Sequence, residues 1–525
     1  MATEHAATRP QPGVRWRRML DALVDTLARE AGPVRVIETH ISAVLLTAQR
    51  AYKLKKPVNL GFLDFTRLRQ RRHFCREELR LNRRLAPELY LSVLPITGTA
   101  AAPRLGGGGR AIDYAVEMRR FPEQASFDCL LAGGQLEGAH IDALAECIAA
   151  FHQRLRPAPV DAPYGRPGDL VHAARDNFTA LRDGASPRSR ARLDRLAAWT
   201  EAEYRRRRAL LARRRIDGRV RECHGDLHLG NIVWLDGQPV PFDGIEFDPA
   251  LRWQDVHGEL AFLSMDLARR GRPDLARRVR DRYLQATGDH GGVPLVDFFE
   301  VYRALVRAKV ARLRAAGAAA PGLRFQALRE CIGCLRLAET LIRPRRPWLA
   351  ITHGLAGSGK THYADWLVEQ LPLIRVRSDV ERKRLLGLAA AARTGSGIDQ
   401  GAYQAKVSAA TYRHLARQVR QLLSAGGPVL VDATFLAAGE RRRFAGLAAS
   451  LCVPFRILAC SAPPDVLRGR VERRAAQAGD ASEADLAVLD AQRARYRPLG
   501  ADEQALATVI DTSRPYAVPA ELPFD

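Results

Sequence analysis

Lysine is almost missing from this chain. Of its 82 basic residues only seven are lysines (Lys53, Lys55, Lys56, Lys309, Lys360, Lys383 and Lys406), which leaves 82 − 7 = 75 arginines. A bias of this size, beside abundant Ala, Gly and Pro, points to GC-rich coding, so runs such as Arg205 to Arg208 and Arg213 to Arg215 read as solvated helix faces. The net charge of +24 is therefore no nucleic-acid signature by itself. Aromatic residues, at 7%, are too few to interleave with basic ones as a base-stacking surface requires. Eight scattered cysteines make no disulfide framework and suit a reducing compartment. The one close pair, Cys331 and Cys334, stands in a helix-like stretch without a second pair or a histidine, and reads as packing. No apolar run is long enough to span a bilayer, and the opening MATEHAATRPQPGVRWRR has no apolar signal-peptide core; both lead us to expect a cytoplasmic protein with no membrane partner.

The scarcity of lysine makes each one that remains informative, because a compact ammonium and a planar guanidinium are not interchangeable where geometry matters. Four of the seven fall in two places, the cluster Lys53, Lys55, Lys56 and the single Lys360.

At 525 residues the chain exceeds what one core organises, and two domains are expected. Residues 38–58 alternate around a polar break as two antiparallel strands would, and 66–85 have helical spacing. A glycine-rich turn at 106–109 precedes a strand at 112–118, and a mostly helical region begins near 135, interrupted by a proline-rich loop at 156–169. This is an α+β layout with a small sheet lobe first. A Pro-Arg segment, Arg343 to Pro347, marks the linker. Beyond it, short apolar strands at 348–352, 373–377, 428–434, 454–460 and 508–511 alternate with helices, as in a five-stranded parallel α/β sheet. The expected boundaries are 1–340, a linker at 341–347, and 348–525.

Two segments carry chemistry. In the first, His224-Gly225-Asp226-Leu227-His228-Leu229-Gly230-Asn231, the Asp and Asn stand 231 − 226 = 5 apart, the spacing of a kinase catalytic loop whose Asp accepts a hydroxyl proton and whose Asn binds Mg²⁺. Asp243 follows 243 − 226 = 17 residues later in Phe242-Asp243-Gly244, where a second metal-binding acid is expected. Upstream, Lys53 or Lys55, on one strand face, can clamp the α- and β-phosphates, with Glu78 (Glu77 one step behind) as the helix partner. The stretch 117–122, with Met118, is a candidate hinge against adenine.

In the second segment, Gly354, Gly357, Ser358, Gly359, Lys360 and Thr361 form a G-x-x-x-x-G-K-T phosphate loop between a strand and a helix. Its backbone N–H groups and helix terminus bind phosphate, Lys360 reaches the β- and γ-phosphates, and Thr361 binds Mg²⁺. Asp432, ending an apolar strand, suits the acid that orients this metal. Asp379, at the end of another strand, could orient or deprotonate an acceptor hydroxyl or cap the next helix, with Arg382 or Lys383 holding an anion. Arg470, Arg473 and Arg474 are candidate lid arginines.

Residues 35–310, through HGDLHLGN and the strand leading to Asp243, resemble the aminoglycoside phosphotransferase-like branch of the kinase fold. The resemblance implies Mg·ATP-dependent phosphorylation of a small molecule, with Asp226 as base, Asn231 and Asp243 as metal ligands, and Asp255 as a structural aspartate. No G-x-G-x-x-G precedes the lysine strand and no aminoglycoside-selective acidic pocket is recognisable, so antibiotic phosphorylation is not implied. Gly225 stands where a regulated protein kinase has an arginine. The second half is similar to the gluconate-kinase, zeta-toxin and polynucleotide-kinase class of P-loop proteins, and the whole resembles bacterial fusions of the two. The leading expectation is a phosphotransferase with two nucleotide-binding domains, using ATP and Mg²⁺ on small hydroxyl-bearing metabolites. A nucleotide-gated regulator and a nucleic-acid-end kinase are the alternatives.

Overall fold

The computed structural model describes residues 12–61, 63–318, 320–390, 392, 404–476 and 485–523. By packing, the chain forms two compact units. One comprises the chain up to His140 together with Arg154–Asp169 and Ala212–Glu259; the other comprises Ile141–Gln153, Leu170–Leu211 and the chain from Leu260 onward. This packing division differs from a single cut at 341–347.

The first unit is built on an antiparallel sheet of β1 (Arg35–Glu38), β2 (Ser42–Leu46), β3 (Arg50–Lys55), β4 (Tyr90–Gly98), β5 (Pro103–Leu105) and β6 (Asp113–Arg119), in spatial order β1-β2-β3-β6-β4-β5. Side chains alternate across a strand, so β3 sends Leu54 to one face and Ala51, Lys53 and Lys55 to the other. On the Leu54 face a helix, Pro12–Ala31, lays Trp16, Leu20, Leu23 and Leu27 onto Leu45, Leu54, Ile96 and Ala115. That stripe has the three-and-four spacing of an amphipathic helix. On the opposite face the helix Leu68–Asn82 buries Arg71, Cys75, Glu78 and Asn82, again one stripe, against the sheet. The alternation of β3 and the stripe of this helix thus aim Lys53, Lys55 and Glu78 at one another. The hairpin of β8 (Ile232–Leu235) and β9 (Gln238–Pro241), and the pair of β7 (Val220–Glu222) with β10 (Trp253–Asp255), complete the unit.

The second unit has a helical part and a sheet. In the helical part Phe178, Leu196, Phe262, Met265, Val301 and Leu305 pack together with Cys331 and Cys334. Both thiols are buried and pushed upward by that burial, the behaviour of packing residues. The sheet comprises β11 (Leu349–His353), β12 (Ile374–Arg377), β13 (Val429–Asp432), β14 (Phe455–Ser461) and β15 (Ala507–Asp511), all parallel, in order β12-β13-β11-β14-β15. Its central strands β11 and β13 are largely apolar on both faces because helices cover both, whereas β12 carries Arg375 and Arg377 on one face. Leu349, Ile351 and Val431 face the helices Ala405–Ser424 and Ala438–Ser450, while Ala350, Leu430 and Leu458 face the helix Lys360–Gln370. The five expected strands and the helices between them are present, residues 401–403 and 482–484 of the expected helices lying outside the described residues. Among the described residues no helix is long and apolar enough to cross a membrane.

Candidate functional site

In the first unit two lysines and three carboxylates meet. Glu78, fully buried, forms an ion pair through Oε1 with Lys53 Nζ and accepts a hydrogen bond on Oε2 from Lys55 Nζ, each at 2.8 Å. Lys53 also contacts Asp243, and Lys55 contacts Glu246. Burial alone would raise the Glu78 pKa, but the two ammonium groups outweigh it and hold the carboxyl at about 2. Lys53 is driven the other way: burial would lower it, and Asp243, Glu78 and Glu246 together keep it well above the ordinary lysine value. For Glu246 burial dominates and pushes the pKa up. The two lysines, equivalent by strand face, are unequal in the fold. Lys55 is 2% exposed and sealed between two carboxylates, while Lys53 is 12% exposed and reaches Asp243, whose side chain is 41% exposed.

Asp243 sits two residues past β9 with φ +62, a left-handed backbone that Asp tolerates better than most residues. Its N–H donates to the buried Tyr90 hydroxyl at 3.1 Å, and the next N–H, of Gly244, to Asn82 Oδ1 at 2.7 Å. The β8–β9 hairpin brings Asn231 beside it, the Phe242 N–H donating to Asn231 O at 2.9 Å. Asn231 Nδ2 in turn donates to Asp226 O at 3.0 Å and to Asp226 Oδ2 at 3.1 Å.

Histidines and a glutamate shape this loop. His224 Nδ1 accepts the Asp226 N–H at 3.3 Å, so Nε2 carries the proton that is donated to Phe242 O at 2.8 Å; burial lowers its pKa and keeps the ring neutral. His228 Nδ1 accepts from Gly230 N at 3.1 Å and turns Nε2 toward Asp226 Oδ2, 3.5 Å away. Glu259 receives the N–H groups of His224 and Gly225 at 3.0 and 2.8 Å. Gly225 has φ +91, and a Cβ there would press on Arg252, Ile245 and Leu251 O, each at 3.3 Å. Asp255 is buried, paired with Arg214 through Oδ2 to Nε (2.7 Å) and Oδ1 to Nη2 (2.9 Å), and accepts the His257 N–H. Met118 is buried in β6 beside Ala51 and Tyr90.

Sequence reasoning assigned no role to Glu246, Glu259, His228 or Tyr90. The first stands three residues after Asp243 in the segment already singled out, and was legible there as a further acid facing the lysine strand.

In the second unit β11 runs into the glycine loop and the helix Lys360–Gln370. Gly354 (φ +147), Gly357 (+77) and Gly359 (+77) have left-handed backbones, and a Cβ on any of them would lie 2.4 to 2.8 Å from Cys460 O, Leu467 O or Thr512 Oγ1. Lys360 Nζ donates to Leu355 O at 2.8 Å. Thr361 Oγ1 donates to Asp432 Oδ1 at 3.4 Å, which brings the loop threonine and the acid ending β13 together. The Ser358 hydroxyl and Asp432 Oδ2 are buried without a hydrogen-bond partner among the described residues. Burial raises the Asp432 pKa against the pull of Arg377, Arg375 and Lys360.

Arg470 is fixed to the loop from behind. Its Nη1 lies 2.8 Å from Thr512 Oγ1 and 3.4 Å from Gly357 O, while Nη2 donates to Thr512 O at 2.8 Å. Arg473 is exposed and bonds its own helix at Gly469 O; the Arg474 side chain lies outside the described residues. Asp379 neither ends β12 nor caps the following helix. The cap is Arg377, and Asp379 is the second residue of the helix Ser378–Leu385, half-buried and without a hydrogen bond or ion pair among the described residues. Lys383 is buried, its Nζ donating to Ala390 O at 3.1 Å. Gln492, which accepts the Ala356 N–H at 2.8 Å, and Thr512 hold the loop with no signal in the sequence.

Residues 50–294 match the model of the phosphotransferase enzyme family, and residues 349–499 match that of an AAA domain. The uncharacterized protein Rv2004c of Mycobacterium tuberculosis (strain ATCC 25618 / H37Rv) is 32% identical over 467 residues, covering 88% of this chain and 91% of its own length. Among solved structures, a choline/ethanolamine kinase family protein from Mesorhizobium loti is similar over 62% of this chain and 99% of its own, at 12% identity and a TM-score of 0.38. A putative kinase from Chloroflexus aurantiacus j-10-fl covers 32% of this chain and 89% of its own, at 22% identity and a TM-score of 0.26. The chain belongs to the family of bacterial fused proteins in which an aminoglycoside phosphotransferase-like domain is followed by a P-loop kinase or ATPase domain.

Proposed function

We propose that this phosphotransferase is an ATP- and Mg²⁺-dependent kinase with two nucleotide sites, acting on small hydroxyl-bearing acceptors. Residues 1–340 would form the phosphotransferase-like domain, 341–347 the connector and 348–525 the P-loop domain. The observation that carries the reading is the first cluster: Glu78 fixes Lys53 while Asn231 fixes Asp226, so the phosphate clamp and the base are both preset.

In this reading Lys53 pairs with the α- and β-phosphates, and Lys55 holds Glu78 from behind. The acceptor hydroxyl approaches Asp226, whose carboxylate is 36% exposed. Its oxygen forms a bond to the γ-phosphorus, the bond from that phosphorus to the β-bridging oxygen breaks, ADP leaves, and the proton passes to Asp226. A positioned base of this kind contributes about 10²–10⁴ in rate. Asn231 and Asp243 would hold Mg²⁺ in the first site, Thr361 and Asp432 in the second. These are hard oxygen donors suited to that ion, and the buried Asp432 Oδ2, without a hydrogen-bond partner among the described residues, fits such a role. The ion supplies neutralisation of charge on the transferring phosphoryl group. The segment after Met118 would meet adenine. In the second site Lys360 and Arg470 would steady the phosphates, and Asp379, without a hydrogen bond or ion pair among the described residues, would face an acceptor.

The test is phosphorylation of a metabolite library by the whole chain and by Asp226→Ala and Lys360→Ala. Each substitution should remove its own share of acceptor-dependent ADP formation. Full turnover in both would end the proposal. Oligonucleotide binding that falls steeply with salt would favour the nucleic-acid-end kinase instead.

A further inference from the structure

The P-loop site borders a charge network reaching outside residues 348–525. Arg375 and Arg377, two apart on β12, share a face beside the carboxyl end of β13, where Arg377 pairs in register with Asp432. The Arg375 side chain is wholly inaccessible to solvent. Its Nε and Nη2 are taken by Asp281 at 3.2 and 2.6 Å, and Nη2 also meets Asp365 Oδ1 at 2.7 Å. Asp281 belongs to the helix Pro273–Thr287, inside the stretch that matches the phosphotransferase family. One turn later on that helix, Gln285 Oε1 accepts Arg377 Nη1 at 2.9 Å. The same helix is tied to the helix behind the phosphate loop, since Arg282 Nη1 reaches Asp365 Oδ1 at 2.9 Å and Arg277 Nε donates to Glu369 O at 3.0 Å.

Asp432 is the next acid in line. Its Oδ2 lies 3.9 Å from Arg375 Nη1 and 3.5 Å from Arg377 Nε, too far or misaligned for a hydrogen bond in each case. Arg375 Nη1 is likewise buried without a hydrogen-bond partner among the described residues. A buried guanidinium needs a carboxylate, and the bidentate grip of Asp281 satisfies that need on the edge facing away from Asp432. If Asp281 loses its charge, the arginine fork is left with Asp365 and Asp432, and the nearest gain is to close the gap to Asp432.

We propose that Asp281 and Gln285 are positioning residues for the P-loop site: they hold Arg375 and Arg377 off Asp432, so that its carboxylate stays available to the divalent cation of a bound nucleotide. The proposal rests on Asp432 being the acid of that metal site. It also makes the P-loop domain dependent on a helix that a cut at the Pro-Arg linker would remove.

The experiment titrates Mg²⁺ against binding of a fluorescent ATP analogue to the full chain, the signal being the part that Lys360→Ala abolishes. Asp281→Asn should raise the Mg²⁺ concentration for half-maximal effect about tenfold or more, the range found when partners of metal ligands are changed. Gln285→Leu should raise it about fivefold, the worth of one hydrogen bond. Binding of the analogue in EDTA should stay within twofold of the parent for both, a split that a general loss of structure would not produce. Should Asp281→Asn fail to fold, Gln285→Leu decides alone. Asp432→Asn is run beside them. If it shifts the Mg²⁺ requirement and the helix variants do not, the positioning role is overturned and the metal acid stands. If Asp432→Asn leaves the requirement unchanged, the metal assignment itself falls and the positioning role with it.

Discussion

Lys53 and Lys55 offer the sharpest test, because they share a strand, a face and a partner yet should fail in different ways. Lys55→Met keeps the length of the side chain and removes its charge. Glu78 would retain Lys53, but Glu246, buried with Lys55 as its contact, would be left as an uncompensated acid. Removing one member of a buried ion pair costs about 3–5 kcal/mol. For a domain of this size each kcal/mol moves the melting temperature by roughly 2–4 °C, so a fall on the order of 10 °C is expected. Lys53→Met leaves a different residue set. Glu78 keeps Lys55, and Asp243, 41% exposed, can be solvated. Its stability cost should be about 1 kcal/mol, while ADP formation at the first site should fall about 10²–10³-fold with the loss of a preset phosphate contact. Thermal unfolding followed by circular dichroism, with acceptor-dependent ADP release on the same samples, reads both. A Lys55→Met protein that melts with the parent, beside a Lys53→Met protein that melts early, would refute the division of labour.

Three further outcomes follow from the same geometry. Glu78, depressed from 4.5 to about 2, contributes stability that is present above its unfolded pKa and is lost as pH falls through about 2, a term of about 3 kcal/mol; urea midpoints between pH 5 and 3 should drop in the parent and flatten in Glu78→Gln, and an equal slope in both would exclude the term. Gly359→Ala places a Cβ 2.8 Å from Thr512 Oγ1 and 3.0 Å from Arg470 Nη1 at φ +77, costing about 1–3 kcal/mol and the nucleotide affinity of the P-loop, whereas Gly439→Ala, with open space around its Cβ, should change neither. Asp226→Asn should lower first-site turnover by about 10²–10⁴ while leaving ATP affinity within twofold; a matching loss of affinity would point to a binding role instead.

Local pattern carried much of the architecture. The five apolar strands of the parallel sheet, the antiparallel hairpin with the lysines, the phosphate loop and the Asp226–Asn231 spacing each lie within short windows, where strand alternation, helical period and glycine backbone needs act directly. Glu78 was legible for the same reason, as the acid on the inward stripe of its helix. The helix Pro12–Ala31 was legible too and went unassigned, although Trp16, Leu20, Leu23 and Leu27 mark its buried face. Asp379 was misplaced by two residues because helix starts depend on where the backbone turns, which composition leaves open.

By itself, then, the sequence determined two nucleotide-binding designs and the residue types that serve each, because motifs of a few residues encode local backbone shape and nearby charge. The tertiary structure alone decided which lysine is sealed and which faces Asp243, since both occupy one strand face and differ only in what β9 and its following turn deliver. It also decided that Asp281 grips Arg375 across 94 positions of sequence. Pairings at that distance arise when packed elements dock, and only the buried arginine's demand for a carboxylate selects among the many acids available.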